Sequence, residues 1–457
     1  MDSVIRRVVK VAGGRYAPGH IGELTQIVPF EMVDAALAET NSVQQRLRAL
    51  PSRVVVYLLL AAALFAELGY GQVWARMCAG LGGLEVACPT SSALAAARRR
   101  IGVAPLRALF DLLRGPQAGT GLPGSRRGVY WRGRLVCAID GTILCWADTA
   151  ANLALYRRGN GYQGGTGYPM VRLLALLACG TRTVIDAVFG TDRTGEISYA
   201  HALVGALHRG MIVLADRNFA VAAWIVALAD TGADVLVGVK ASRRLPVCRR
   251  LRDGSSMSRL GPLEVRVITA TITITTSAGR RTEDYRLITT VLDPDCSPLD
   301  ILTLYHQRWE IETTFFELKS TSLGGQVLRA RTPTGVNQEI YALLITYQAL
   351  RIAISDATLA RADLDPDRGS FTVALHAARD QLIAATGVIA DTTIDLIGVI
   401  GQHVLDQLMP ARRSRTNPRV VKRAISKYAA SSAKRRHRGP SHKTTINIDI
   451  KHADTGP

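Results

Sequence analysis

The chain has 457 residues, enough for two to four domains at roughly 100–200 residues each. Apolar residues make up 48% of it, which excludes a disordered or fibrous chain, and 56 Lys plus Arg against 37 Asp plus Glu leave a formal charge of +19, which points to a polyanionic partner, nucleic acid first among them. The seven cysteines are odd in number and none has C-x-x-C spacing, which argues against a disulfide framework or a Cys-type zinc site and fits a reducing cytoplasm.

No apolar run follows the basic N-terminal residues, so no signal peptide is expected. Residues 1–122 are predicted to form a helical N-terminal domain, with apolar spacing that suits helices over Phe30–Thr40, Ser42–Leu50 and Arg53–Gly69. The apolar run Val54–Ala66 is shorter than the roughly 18–20 residues of a membrane span, so it reads as a buried helix and no membrane partner is expected. Gln72–Leu81 and Thr90–Ile101 flank a Gly82-Gly83 turn. The second of these helices has a cap-like start at Pro89-Thr90-Ser91-Ser92 and ends in Arg98, Arg99 and Arg100. The pair reads either as a helix-turn-helix carrying DNA-binding arginines or as an ordinary helix pair. Gly115–Gly128 has linker composition.

A strand-and-helix alternation follows over 123–240. Arg134–Ile139, Met170–Cys179 and Thr183–Phe189 read as strands, Gly195–His208 as helical, Met211–Ala215 as a strand, Phe219–Asp230 as helical and Asp234–Lys240 as a strand. Periodicity alone gives an α/β class; the order of elements and the positions of the acids suit an RNase H-like catalytic core. Residues 241–298 are β-rich, with Leu263–Thr276 and Tyr285–Leu292 as strands around a Gly279-Arg280-Arg281 turn, and form an insertion in that core. The core resumes at 299–360 with a long amphipathic helix, Leu299–Ser320. Residues 361–457 are a helical C-terminal region with a basic tail: Ala411–Lys443 holds twelve Lys or Arg and no acid.

Three acids stand out. Asp140 and Asp216 each end a buried strand, and Glu312 lies in the long helix. Two carboxylates side by side repel unless a cation sits between them, and hard oxygen donors suit Mg²⁺ or Mn²⁺. The helix also carries Tyr305, Arg308 and Lys319, spaced Y-x2-R-x3-E-x6-K, so that all four residues fall on one stripe at 3.6 residues per turn. Arg308 and Lys319 can grip phosphate, and Tyr305 can orient phosphate or water. Arg217, beside Asp216, either touches DNA or shapes its turn. Glu310 and Glu317 fall off the stripe and are expected to face solvent or pair locally, and Asp148 is expected to be structural.

This set resembles the DDE insertion-sequence transposases that carry the Tyr-Arg-Glu-Lys signature. Asp140-Gly141-Thr142, Asp148-Thr149 with Asn152, Gly167-Tyr168-Pro169, Gly195-Glu196, Leu214-Ala215-Asp216-Arg217-Asn218-Phe219 and Tyr305–Lys319 carry the resemblance, over roughly residues 20–350. It implies that Asp140, Asp216 and Glu312 are both catalytic residues and metal ligands. The metal implied is Mg²⁺, with Mn²⁺ as substitute, as two ions about 3.5–4 Å apart. It further implies cleavage at the terminal inverted repeats of a mobile element, strand transfer into double-stranded target DNA, a homo-oligomer on DNA and a prokaryotic, nucleoid-associated location. Some relatives pass through a hairpin, which calls for an aromatic platform; Tyr285 and Trp309 are candidates, Trp224 less so, and Trp309 is expected in the core. The alternatives are a nuclease of the same fold without strand transfer, an inactive DNA-binding descendant, and a structural nucleic-acid-binding protein.

Overall fold

The segment Leu135–Ile139 is wholly apolar, the pattern of a strand covered on both faces. In the computed structural model it lies at the centre of a large mixed sheet. The structure describes residues 8–116, 129–158, 167–240, 242–276, 279–359, 361, 364–388, 397–410 and 445–451. Most of the expected linker and the basic segment 411–443 lie outside these residues.

Strands β1 (Val8–Lys10) and β2 (Tyr16–Pro18) form a small hairpin. The large sheet contains β3 (Tyr130–Trp131), β4 (Arg134–Cys145), β5 (Met170–Ala178), β6 (Val184–Thr191), β7 (Met211–Ala215), β8 (Asp234–Gly238), β9 (Arg249–Arg250), β10 (Ser256–Leu260), β11 (Leu263–Thr276), β12 (Gly279–Thr289) and β13 (Thr445–Ile450). Its order is β6-β5-β4-β7-β8-β12-β11-β10-β9, with β3 beside β4 and β13 beside β11. β4, β5 and β6 are an antiparallel meander, whereas β7 and β8 run parallel to β4. The β-rich segment continues this sheet: β12 pairs with β8 from Leu287↔Gly238 to Thr289↔Leu236. That pairing satisfies the backbone groups that β8 would otherwise present as an open edge.

One face of the sheet is covered by helices Glu196–Ala202 and Ala222–Asp230, around Val213, Trp224 and Val235. The other face shares one continuous core with the helix Pro333–Leu359 and with helices from both ends of the chain. Val54–Leu64 is buried at every residue, so its all-round apolar surface is explained by cover on every side. Among the described residues no helix is long and apolar enough to cross a membrane. Distant parts of the sequence pack together: the Glu23 carboxylate accepts the Val399 and Ile400 N–H groups at 2.9 and 3.2 Å, at the start of helix Gly398–Asp406. Gly80 passes so close to helix Phe371–Ala384 that a Cβ there would lie 2.4 Å from the Ala384 carbonyl carbon.

Several local expectations are corrected. Residues 42–50 are turns and bends instead of a helix, and their polar groups bind the next helix: the Gln44 side chain accepts the Ser52 N–H at 2.7 Å. β4 continues through Asp140 to Cys145, because β5 offers it partners from Asp140↔Ala175 to Cys145↔Met170. Gly279–Arg281 lies inside β12. The long helix is broken into Pro298–Tyr305, a 3₁₀ turn His306–Arg308, helix Trp309–Phe316 and a π turn Glu317–Ser322. Helix Ala104–Leu113, opened by Pro105, falls in the expected helical N-terminal domain, whereas strands β1 and β2 within that domain, and β9, β10 and β13, have no counterpart in the sequence reading.

Candidate active site

The parallel register of β4 and β7 sets Ile139 beside Ala215, so the next residues are neighbours: Asp140, still within β4, and Asp216, just past the end of β7. Asp216 caps the short turn after β7: its carboxylate accepts the Asn218 N–H at 2.7 Å and the Asn218 amide at 3.2 Å. The Asp140 carboxylate accepts the Gly141 N–H at 2.8 Å. Glu196 stands at the start of its helix, gripped by the Arg172 guanidinium at 2.6 Å. All three acids line one cleft of about 1400 Å³, together with Glu312, Tyr305, Arg308, Trp309 and Lys319. Residues 283–287 of β12 also line it.

Charge is crowded here. Burial pushes the Asp140 carboxyl up to about 7; the Gly141 N–H and Arg308 oppose the rise, while Asp216 and Glu196 add to it. Among the described residues no three His, Cys, Asp or Glu side chains are already grouped to hold a metal ion. Glu312 lies 3.7 Å from the Arg308 guanidinium. The donors nevertheless fit a hard divalent cation in kind, since carboxylate oxygens line a cleft where an ionised Asp140 is disfavoured without added positive charge.

The breaks in the helical run leave the signature residues on one side, and all four line the cleft. The Tyr305 hydroxyl donates to the Ala215 carbonyl at 3.1 Å, directly before Asp216. It fits against Gly238 of β8, where a Cβ would stand 2.7 Å from its oxygen. Tyr305 therefore ties the helix to the ends of β7 and β8. Arg308 packs between the rings of Tyr305 and Trp309, at 5.8 and 5.2 Å from their centroids. The Lys319 ammonium donates to the Thr142 hydroxyl at 3.3 Å, reaching the same strand as Asp140. Arg217 is exposed at the cleft.

Arg98, Arg99 and Arg100 are not among the cleft residues. The Arg98 guanidinium stacks 3.6 Å from the Tyr70 ring centroid, and Arg100 donates to the Leu50 carbonyl at 2.6 Å; Arg99 is exposed. Trp224 is fully buried beside Phe219 and can offer no platform. Trp309 lines the cleft with Tyr285, contrary to its expected place in the core. Phe316, 62% exposed in the same cleft, went unnoticed in the sequence because an apolar residue on an apolar helix gives no signal of exposure. Glu310 and Glu317 are buried instead of solvent-facing, paired with Arg182 and Arg351. Asp148 pairs with Arg158 at 2.9 Å.

Residues 18–111 match the N-terminal family of insertion element 4 transposases, and residues 131–349 match the transposase DDE domain. The chain belongs to the DDE transposases of the insertion element 4 family and is a DNA transposase. It is 26% identical over 424 residues to the transposase InsG for insertion sequence element IS4 of Escherichia coli strain K12, covering 88% of this chain and 92% of that protein. A piggyBac transposase from a synaptic complex with hairpin DNA aligns with a TM-score of 0.42 and 11% identity, over 82% of this chain and 84% of that one.

Proposed function

We propose that the chain is a cut-and-paste enzyme, with an RNase H-like core in which Asp140, Asp216 and Glu312 hold divalent cation, Mg²⁺ or Mn²⁺, in two sites. The observation that carries this reading is the single cleft shared by these three carboxylates with Arg308 and Lys319. Bound there, the cation would neutralise charge building on the reacting phosphate and acidify the attacking hydroxyl. The chain's own residues supply the rest. Arg308 offers a planar fork and Lys319 a point charge to phosphate oxygens. Tyr305 holds the helix against the carbonyl before Asp216, and Arg217 offers a further cation at the rim.

In the first step water attacks the scissile phosphorus at the element's end and the 3′ oxygen departs as a hydroxyl. In the second, that 3′-OH attacks a phosphorus of target DNA and displaces another 3′ oxygen, so one phosphodiester is exchanged for another without an external energy source. The partners are therefore the terminal inverted repeats and target duplex. Two ends must be joined together, which calls for a homo-oligomer on DNA. Within this reading, residues 1–122 bind DNA, with Arg99 and Arg100 the exposed arginines of the 98–100 group. Residues 123–240 and 299–360 form the core, 241–298 the insertion and 361–457 the C-terminal region, and the chain acts at the nucleoid of a prokaryote.

The test is strand transfer. A labelled duplex ending in the element's terminal 3′-OH, mixed with plasmid, protein and Mg²⁺, is expected to become covalently joined to plasmid. Cutting of uncleaved ends without any joining of the pre-cleaved end would favour a nuclease of this fold.

A further inference from the structure

Glu310 and Glu317 look wasted in a catalytic helix, since neither faces the cleft. At about 100° per residue, Glu310 lies nearly opposite Glu312 on the helix, and Glu317 lies on that same rear side. There they meet two arginines. Arg182 occupies the turn between β5 and β6, in a left-handed conformation at φ 58°. Its Nε donates to Glu310 at 2.6 Å and its Nη1 to Glu317 at 3.1 Å. The Arg351 guanidinium, from helix Pro333–Leu359, binds the other Glu317 oxygen, which also accepts the Tyr347 hydroxyl at 3.0 Å. Arg351 Nε donates back to Tyr347 at 3.2 Å. Arg182, Arg351, Glu310 and Glu317 are each no more than 6% exposed.

We propose that this buried network is the positioning device of the active site: it fixes the rotation and axial register of the helix that carries Arg308, Glu312 and Lys319. The proposal rests on the reading of Glu312 as a metal-holding carboxylate. An apolar rear face would tolerate a helix turned or slid by one position, because dispersion contacts are not directional. Two buried carboxylates facing two fixed guanidinium groups tolerate neither, since any slip would strand charge in the core. The anchors come from both sides of the site. Arg182 is joined through β5 to β4, the strand of Asp140, and Arg351 belongs to the longest helix of the structure. The network also meets the helix where its winding changes, at the π turn that begins with Glu317 and contains Lys319, and such turns recur at functional sites. These four are positioning residues: none of them lines the cleft.

The test uses the full chain in two variants. In the first, Arg182→Met, Glu310→Leu, Glu317→Met and Arg351→Met are combined, giving an apolar replacement that similar networks elsewhere tolerate. In the second, Glu317→Gln alone is assayed at a temperature where near-UV circular dichroism shows native packing. Mn²⁺ binding is titrated by electron paramagnetic resonance on DNA-free protein, beside single-turnover cleavage and duplex binding. Both variants are expected to bind duplex within threefold of wild type, while Mn²⁺ affinity and cleavage each fall at least tenfold. Mn²⁺ affinity and cleavage within twofold of wild type in either folded variant would overturn the proposal and leave the network a stabilising role alone. If the wild type binds Mn²⁺ but cuts no end DNA, the cut-and-paste reading fails while the Mn²⁺ comparison still decides the network. If it binds none, the metal-holding role of Glu312 fails and the proposal falls with it.

Discussion

Asp140→Asn is expected to give a protein that melts higher than wild type in metal-free buffer at pH 8 and does not cut DNA. Asp140 is held at about 7 in the folded chain against an ordinary 3.8, burial being the first cause. A carboxyl raised in this way binds a proton more tightly folded than unfolded. The fold therefore loses stability as pH rises from about 4 to about 7, and the loss is constant above that. The full difference corresponds to at most ~4 kcal/mol. Because the cleft is open to water, about 2 kcal/mol is the expected gain on removing the charge, or a rise in Tm of about 2–4 °C. The gain should vanish near pH 4, where both forms are neutral at this position. Millimolar Mg²⁺ should raise the Tm of wild type and leave the variant unmoved, because a ligand that binds only the folded state stabilises it. Differential scanning calorimetry at pH 4 and pH 8, with and without Mg²⁺, checks all of this. A variant less stable than wild type at pH 8 would contradict the charge crowding at Asp140.

The second large effect concerns salt. Ala411–Lys443 holds twelve Lys or Arg without an acid, close to two-thirds of the net charge of +19. Replacing six of them, Arg412, Arg413, Arg415, Lys434, Arg435 and Arg436, with Gln removes up to six phosphate contacts. Each contact contributes roughly 0.9 to the slope of log affinity against log salt, so the slope should flatten by up to about 5. Binding should weaken by orders of magnitude at 50 mM salt and by similar factors on any duplex. Fluorescence anisotropy on terminal-repeat and scrambled duplexes between 50 and 200 mM salt reads both quantities. Loss confined to the terminal repeat would assign this segment to sequence reading and not to the phosphate backbone.

The site was more legible in the sequence than its scaffold. Asp140, Asp216, Glu312 and the residues around them can be picked out because chemistry restricts which residue types will serve, and all of them line one cleft. The strands of the α/β part were legible for a similar reason: Met211–Ala215 is buried at all five positions, and only an apolar run satisfies that. What failed was whatever depends on distant partners. Glu310 and Glu317 read as solvent-facing or locally paired because nothing local announces Arg182, more than a hundred positions away, or Arg351 on another helix. β4 outran its expected end because its length is set by β5, not by its own composition. The Gly279-Arg280-Arg281 stretch carries turn residues, yet its pairing with β11 draws it into a strand. β13 could not be foreseen at all, since its partner β11 lies 170–180 positions earlier, from Thr275↔Thr445 (445 − 275) to Ala270↔Ile450 (450 − 270).

In the proposed function, Asp140, Asp216 and Glu312 act as one metal-holding set in DNA cleavage. The most direct test is cleavage of duplex carrying the element's own end, in Mg²⁺ or Mn²⁺, by wild type beside Asp140→Asn, Asp216→Asn and Glu312→Gln. Wild type is expected to nick at the element boundary. Each variant is expected to bind the duplex as tightly and cut it at least a thousandfold more slowly. Cutting by any of the three at the wild-type rate would rule out a shared metal-holding role for these carboxylates.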